Sequence, residues 1–303
     1  MALVVTPAVA LAAFSGGNGV IAYQHTTESG VEQADVLTVR VDGTGRRQLT
    51  DTPDRNEFGP AWNPAGSRIA FWRTRAPFGS GSIWVMDADG SNKRRLTRHV
   101  DARDPAWSPS GGRIVFTSDG NLFTIRASGG HRRQLTSSQA LDFEPAWSAG
   151  RHRIVFTRAF EQGDAGDLYV LNVRTRKVTH LTSSPDYDHQ ANTSPDGERI
   201  AFERDFDDVN GFAVFVVRVD GSDLRRLTAK RDGFFDTGPA FSPSGGRIAF
   251  GRDRPRFLSD LFVMRANGKG EQRIRRESFL SSFPDWQPLS SSVRPHGPKR
   301  GPG

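Results

Sequence analysis

The pentapeptide Pro105-Ala106-Trp107-Ser108-Pro109 decides the fold, because close variants of it recur along the whole chain. The copies are PAWNP at 60–64, PAWSP at 105–109, PAWSA at 145–149, ANTSP at 191–195, PAFSP at 239–243 and PDWQP at 284–288. Their third positions are Trp62, Trp107, Trp147, Thr193, Phe241 and Trp286, spaced 40 to 48 residues apart. A period of about 40–50 residues is typical of propellers, solenoids and other repeat arrays. The motif therefore predicts a repeat protein whose repeated core positions are these aromatic residues.

Each period contains the pattern of four short β-strands. The motif is followed by a glycine turn and an apolar run such as Ile69-Ala-Phe. An alternating run such as Ser82-Ile-Trp-Val-Met comes next, closed by a turn such as Asp89-Gly90, and a last run ends in Leu-Thr. Alternation bounded by Asp-Gly turns predicts hairpins. Four strands in each period, without a helical periodicity, are typical of one propeller blade.

The two ends of the chain predict that the ring closes through a composite blade. Strand patterns at 20–23, 36–39 and 47–50 have no motif before them, and the last motif has no strands after it. Pairing the two parts gives an all-β, six-bladed propeller of four-stranded antiparallel blades. Its composite blade combines strands from 19–50 with the C-terminal strand near 283–288. Such closure removes exposed sheet edges.

The propeller domain is predicted to cover residues 14–289, with a short segment on each side. Residues 1–13 are apolar and contain the small-residue pattern Ala8-Val-Ala10, which favours the remnant of a signal peptide. The alternative is an apolar tail that packs on the composite blade. Residues 290–303 are rich in Ser, Pro, Gly and Arg, which predicts a disordered basic tail. The signal remnant predicts export, to the periplasm, the cell envelope or the outside of the cell.

The repeat resembles the TolB-like PD40 repeat, a WD40-like β-propeller family. The family pattern PAWSPDGxxIAF…IYVMDADGSNxRRLT is closely matched by residues 105–117 and 83–97, and the resemblance extends from about Asn18 to Pro288. It implies a propeller with protein partners at the cell envelope, although propellers of this kind serve many functions. The fourth repeat departs from the pattern at Thr193, which predicts looser packing there.

Composition and charge exclude several other classes of protein. The absence of cysteine excludes a disulfide framework, a thiol nucleophile and a cysteine–zinc site. The formal net charge is +7, and arginine pairs such as Arg94-Arg95 precede the Leu-Thr of the predicted outermost strand. Charges on an outer strand protect its edge against pairing with other sheets. We favour that interpretation, with a polyanion-binding surface as the alternative and no specific nucleic acid expected.

A second repeated feature is a carboxylate just before the motif. Its members are Glu57, Asp101, Asp142, Asp188 and Asp236, and His189 and Gln190 stand at the start of the fourth motif. Repetition around a ring predicts that these side chains share one mouth of the channel, on the face with the longer loops. Two interpretations remain open. The carboxylates cap their own turns, or they form a negative funnel that attracts a basic peptide or Ca²⁺.

Common catalytic signatures are absent from the sequence, including G-x-S-x-G and H-E-x-x-H. We therefore expect a non-catalytic binding or scaffold propeller, monomeric and without a resident cofactor, that binds a protein, peptide or other ligand at the acidic face. Calcium is the candidate ion, and no transmembrane segment is expected. The alternative is a metal-dependent polysaccharide lyase or hydrolase with its site in the channel. That alternative depends on His25, His99 and His189, since related propeller lyases hold a metal with channel His and Gln residues.

Overall fold

The protein is built from β-strands. A computed structural model describes residues 13–26, 33–75, 79–149, 152–160, 166–206, 211–254, 258–276 and 281–290, and none of these residues is helical. All but Ser290 of the predicted tail at 290–303, and all but Ala13 of the predicted signal remnant, lie outside the described residues.

The strands follow one another in units of four. The composite unit contains β1 (Gly17–Thr26), β2 (Ala34–Val39), β3 (Arg47–Gln48) and the C-terminal β24 (Ser281–Leu289). Next come β4 (Arg55–Trp62), β5 (Arg68–Arg75), β6 (Ser82–Asp87) and β7 (Arg94–Arg95), then β8 (Arg103–Trp107), β9 (Arg113–Ser118), β10 (Asn121–Arg126) and β11 (Arg133–Gln134). The fourth unit is β12 (Leu141–Trp147), β13 (Arg153–Ala159), β14 (Asp167–Asn172) and β15 (Val178–His180). The last two are β16 (Tyr187–Thr193), β17 (Arg199–Asp205), β18 (Phe212–Arg218) and β19 (Arg225–Arg226), and β20 (Phe235–Phe241), β21 (Arg247–Arg254), β22 (Leu258–Arg265) and β23 (Gln272–Arg276).

The predicted all-β propeller of four-stranded antiparallel blades is confirmed, but the predicted count of six blades is not. The strands form four separate four-stranded sheets and one eight-stranded sheet. In the eight-stranded sheet, the β16–β19 and β20–β23 units are joined by a single parallel pair, Phe212 with Phe235. The composite unit is one of the four separate sheets, with β24 paired to β1 and Ile21 opposite Trp286.

The repeated aromatic side chains pack between units. Trp62, Trp107, Trp147, Phe241 and Trp286 are all buried. The indole Nε1 of Trp107 donates to the carbonyl oxygen of Ala61 at 3.1 Å, and that of Trp286 donates to the carbonyl oxygen of Ala240 at 3.2 Å. Each of these bonds joins the first strand of one unit to the first strand of the unit before it. The tryptophan therefore contributes both buried apolar area and a polar link between units.

The unit with Thr193 is closed rather than loose. Thr193 is buried, and its hydroxyl donates to the carbonyl oxygen of Trp147 at 2.7 Å, across the same boundary that an indole bridges elsewhere. Its own carbonyl accepts from the N–H of Ala13 at 3.1 Å. Ala13 and Phe14 are buried, and Phe14 belongs to the apolar cluster that contains Trp147. The start of the described chain thus covers the position where a tryptophan is missing.

The Leu-Thr motif has a repeated role within the sheets. The hydroxyl oxygens of Thr50, Thr97, Thr136, Thr182 and Thr228 accept from the backbone N–H of Val36, Ile83, Leu122, Leu168 and Val214, at 2.9–3.0 Å. Each acceptor satisfies a buried N–H at the start of the third strand. An unpaired buried N–H is costly, so threonine is suited to this position in every unit that has it.

Candidate functional site

The predicted binding residues lie where the first strand of a unit begins. At this end Tyr187 pairs with Asp205 on the second strand, and Asp205 pairs with Phe212 at the start of the third. The connections between second and third strands therefore leave the sheets at the same end. We call this end of the propeller the loop face. Its connections differ in length and sequence, as expected for the variable loops of a rigid scaffold.

Four of the five predicted carboxylates are buried ion pairs with arginine rather than exposed charges. Glu57, Asp142, Asp188 and Asp236 are each at most 1% exposed. Their partners, from the second strand of the same unit, are Arg73, Arg158, Arg204 and Arg252, with Nε–oxygen distances of 2.6, 2.6, 2.5 and 2.5 Å. Burial raises the pKa of Glu57 and of Asp188, although each has an arginine beside it.

Each of these arginines also covers aromatic rings of its own sheet. The guanidinium of Arg158 lies 5.3 Å from the ring centre of Phe156 and 5.1 Å from that of Tyr169. The same arrangement is found for Arg73 over Phe71 and Trp84, Arg204 over Phe202 and Phe215, and Arg252 over Phe250 and Phe262. Stacking and ion pairing together fix the arginine side chain. Each of these four sites therefore consists of a carboxylate, an arginine and two aromatic rings.

Asp101 differs from the other four carboxylates. Its side chain is 35% exposed, pairs with the exposed Arg103 at 2.9 Å, and accepts from the N–H of Gly81 at 2.6 Å. Asp101 therefore caps a backbone N–H of the β5–β6 connection in the preceding unit, not a turn of its own. The expected open ring of carboxylates is not what the structure contains, because the other four are buried and locally neutralised. Ligand binding by these residues stays a prediction.

A bulge in each first strand gives the inner wall of the propeller its shape. The residues at the bulge are Gly59, Asp104, Glu144, Gln190, Gly238 and Phe283, all with φ between 53° and 58°. Glycine tolerates this left-handed backbone, whereas other residues adopt it at a cost. The bulge recurs in every unit, but the side chain that it carries changes from unit to unit.

Side chains of one unit hold the bulge of the next. Glu144 accepts from the N–H of Gln190 at 2.8 Å and from the hydroxyl of Thr157 at 3.1 Å. Glu203 accepts in the same way from the N–H of Gly238 at 2.7 Å. Glu144 therefore connects the first strands β12 and β16, and Glu203 connects the second strand β17 to the first strand β20 of the next unit.

His189 lies buried between these two carboxylates. Its Nε2 is 2.9 Å from Glu203 and its Nδ1 is 3.7 Å from Glu144. Burial disfavours the imidazolium, but the two carboxylates outweigh it and raise the pKa of His189 well above its usual value. Nearby, burial and the charge of Glu144 raise the pKa of Asp104 well above the usual range. Sequence analysis singled out His189 and Gln190 but missed Glu144 and Glu203, which follow no repeated pattern.

Half-buried aromatic rings surround His189 on the loop face. Tyr187 stacks on the imidazole at a centroid distance of 4.5 Å, and Phe212 meets it edge-on at 5.9 Å. Phe143 lies 6.4 Å from Tyr187, and Phe235 lies 4.9 Å from Phe212. We call Phe143, Tyr187, Phe212 and Phe235 the aromatic patch. Side chains with an apolar body that remain partly exposed are typical of binding surfaces.

Within the described part of the chain, no group of three or more His, Asp or Glu residues is placed to hold a metal ion. His189 already has a carboxylate near each ring nitrogen, so both nitrogens point at protein groups.

The repeated four-stranded sheets, with a first strand that carries the bulge and a composite unit that joins the chain ends, define a β-propeller. The TolB beta propeller domain family, PD40, matches residues 119–290, which is more than half of the chain. The chain belongs to this family. No helix among the described residues is long and apolar enough to span a membrane.

Similar proteins include members of the Tol-Pal system. Tol-Pal system protein TolB 1 of Novosphingobium aromaticivorans is 38% identical over 69 residues, which cover 23% of this chain and 15% of that protein. The structure of TolB from Acinetobacter baumannii matches with a TM-score of 0.75 at 21% identity, covering 89% of this chain and 67% of that one. An oligogalacturonate lyase in complex with manganese matches with a TM-score of 0.54 at 14% identity, covering 87% and 75% of the two chains. At these identities the two structures support the fold alone.

Proposed function

We propose that this protein is an exported, non-catalytic binding propeller that binds a protein or peptide segment at its loop face. The observation that carries the proposal is the aromatic patch around His189, which leaves rings half-exposed where the variable loops leave the sheets. The TolB-like relatives are named as parts of the Tol-Pal system, which supports a protein partner in the cell envelope.

We further propose that the eight-stranded sheet acts as two blades, which makes a ring of six. Each half contains the same order of four strands and the same bulge as the separate sheets, and the buried carboxylate–arginine pair that two of those sheets also have. Only one parallel pair joins the halves, against several antiparallel pairs within each.

The patch is suited to a peptide that contributes aromatic or long aliphatic side chains. Rings of Phe143 and Tyr187 provide apolar area, while the backbone N–H groups of Gln190 and Gly238 are already held by Glu144 and Glu203. Apolar contact in the centre of an interface with polar groups around it is the usual anatomy of a protein interface. His189, which lies beside Glu203 below the patch, contacts Tyr187 and Phe212 and keeps these two rings in place.

Peptides selected by display against the whole protein test this proposal. We expect their affinity, measured by calorimetry, to fall at least about tenfold in Tyr187→Ala and in Phe143→Ala, because each change removes a ring of the patch. Leu224→Ala is the control, since Leu224 is an exposed apolar residue in the turn between β18 and β19. Equal affinity for all three variants would place the binding surface elsewhere. A separate calorimetric titration of the protein with calcium chloride tests whether it binds Ca²⁺.

A further inference from the structure

Four arginine side chains converge on the outer edge of the β8–β11 unit. Arg132 and Arg133 belong to its last strand and the preceding turn, and both are exposed. Arg94 reaches in from β7 and donates to the carbonyl oxygens of Ser128 and Ala127 at 3.0 and 2.9 Å.

Arg176 reaches the same edge from the other side. It lies in the turn after β14 and donates to the carbonyl oxygens of Leu135 at 2.9 Å and Gln134 at 3.3 Å. Burial and the positive charge of Arg133 lower the pKa of Arg176, as expected for like charges held close together. We call Arg94, Arg132, Arg133 and Arg176 the arginine cluster.

The charge of the arginine cluster is not compensated. Within the described ranges none of the four forms an ion pair, and their contacts are neutral carbonyl groups and the ring of Phe123, 5.4 Å from Arg132. The turn beside them, 127–130, has the sequence Ala-Ser-Gly-Gly, whereas the corresponding turns of three of the other five units contain Asp42, Asp89 and Asp220.

At the corresponding edge of the β16–β19 unit, one of the two strand arginines has a carboxylate partner. Arg225 occupies the same register position as Arg133, opposite Val216 as Arg133 is opposite Thr124. There Arg225 pairs with Asp223 at 3.1 Å. Edge protection explains arginine on all of these strands, but it does not explain why several of them gather without a carboxylate at one edge.

We propose that the arginine cluster binds the phosphate groups of an anionic lipid surface. The planar guanidinium fork matches phosphate oxygens, and clustered basic side chains bind anionic membranes. The cluster lies on the outward edge of the propeller, where a flat surface can reach the side chains of adjacent units together. Proteins usually hold single-stranded nucleic acid in a groove with aromatic platforms, whereas the guanidinium of Arg132 lies over Phe123, the ring beside this cluster. The surface is separate from the loop face, so it extends the proposed function without depending on it.

Sedimentation with vesicles of phosphatidylethanolamine and phosphatidylglycerol, about three to one, tests the proposal at about 0.1 M salt. We expect the whole protein to bind these vesicles but not phosphatidylcholine vesicles. Arg132→Gln with Arg133→Gln should weaken binding about 30-fold, because two cationic contacts are lost. Arg225→Gln with Arg226→Gln is the matched control, with the same net charge, and should bind as the parent does.

Four results would overturn the proposal. In the first, the parent does not bind the anionic vesicles, and in the second, the Arg132/Arg133 variant binds them as well as the parent does. In the third, both double variants bind the vesicles equally weakly. In the fourth, the parent binds duplex DNA more tightly than vesicles, and the Arg132/Arg133 variant loses affinity for the DNA by the same factor. The third result would mean that net charge alone acts, and the fourth would make the edge a nucleic-acid site. Circular dichroism of both variants establishes that they fold, as expected for substitutions of exposed side chains.

Discussion

Replacing Asp142 by alanine isolates one buried carboxylate–arginine pair. Asp142 is fully buried, and its two carboxylate oxygens accept from Nε and Nη2 of Arg158 at 2.6 and 2.9 Å. The substitution leaves the guanidinium of Arg158, whose side chain is only 13% exposed, without its counter-ion. Breaking a buried pair from one side costs roughly 3–5 kcal/mol, most of it the penalty of the charge left behind.

The aromatic rings reduce but do not remove that penalty. Arg158 keeps its contacts with Phe156 and Tyr169, and each such contact contributes only about 0.5–2 kcal/mol. We therefore expect Asp142→Ala to lower the free energy of unfolding by about 3 kcal/mol. Asp142→Asn should cost nearly as much, because an amide of the same size cannot neutralise the guanidinium. The turn-capping interpretation predicts instead that asparagine is tolerated.

Urea denaturation followed by tryptophan fluorescence measures the effect, with linear extrapolation to water. Asp101→Ala is the internal control, because its ion pair with Arg103 is exposed and such pairs contribute about 0–1 kcal/mol. Loss of the hydrogen bond to Gly81 adds about 1 kcal/mol. If Asp142→Ala costs no more than Asp101→Ala, burial of the pair does not determine its contribution and the reasoning fails.

Three further predictions concern other repeated and unrepeated contacts. The pKa of His189 is raised above 6.5 in the folded protein, so its contribution to stability is present below about pH 6.5 and is lost as the pH rises through the folded pKa. The free energies of unfolding of the parent and of His189→Gln, measured across this range, should differ by an amount that shrinks as the pH rises. A difference that does not depend on pH would contradict the pairing of His189 with Glu144 and Glu203. Thr136→Val should cost about 1–3 kcal/mol in urea denaturation, because the buried N–H of Leu122 loses its acceptor, whereas the exposed Thr179→Val should change little. Trp107→Ala should lower the free energy of unfolding by roughly 3–5 kcal/mol. Thr193→Trp should also lower it, by about 1–3 kcal/mol, because Thr193 is already buried against Ala13. A stabilised Thr193→Trp variant would show instead that the space is empty.

The propeller was predictable from the sequence because its determinants are local and repeated. The aromatic motif, the glycine turns and the Leu-Thr ending all act within one unit or between neighbours, so each copy supports the same interpretation. The composite unit was predictable for the same reason, since each chain end has the strands that the other lacks. The pairing of Ile21 with Trp286 follows from that complementarity.

The chemistry of the carboxylate series was not predicted, although the sequence contains the signal. An arginine follows each of Glu57, Asp142, Asp188 and Asp236 by sixteen residues, and the position sixteen residues after Asp101 is Thr117. Pairing register across a hairpin with a bulge is needed to see that this spacing brings the two side chains together. The negative funnel was predicted from the carboxylates alone, without the arginines that pair with them.

Side chains that are not repeated from unit to unit indicate where a role beyond the fold is located. A feature that is repeated in most units, such as the buried ion pair or the threonine acceptor, is explained by the packing and hydrogen bonding within each sheet. Glu144 occupies the bulge position that glycine fills in two other units, at Gly59 and Gly238, and the buried His189 and Glu203 of the next unit lie beside it. A non-glycine residue with a left-handed backbone and buried, mutually dependent charges carries a cost that closure of the ring does not require. Left-handed non-glycine residues also occupy the bulge at Asp104 and Phe283, but the mutually dependent charges of Glu144, His189 and Glu203 lie beneath the aromatic patch, which is consistent with the proposed binding role of the loop face.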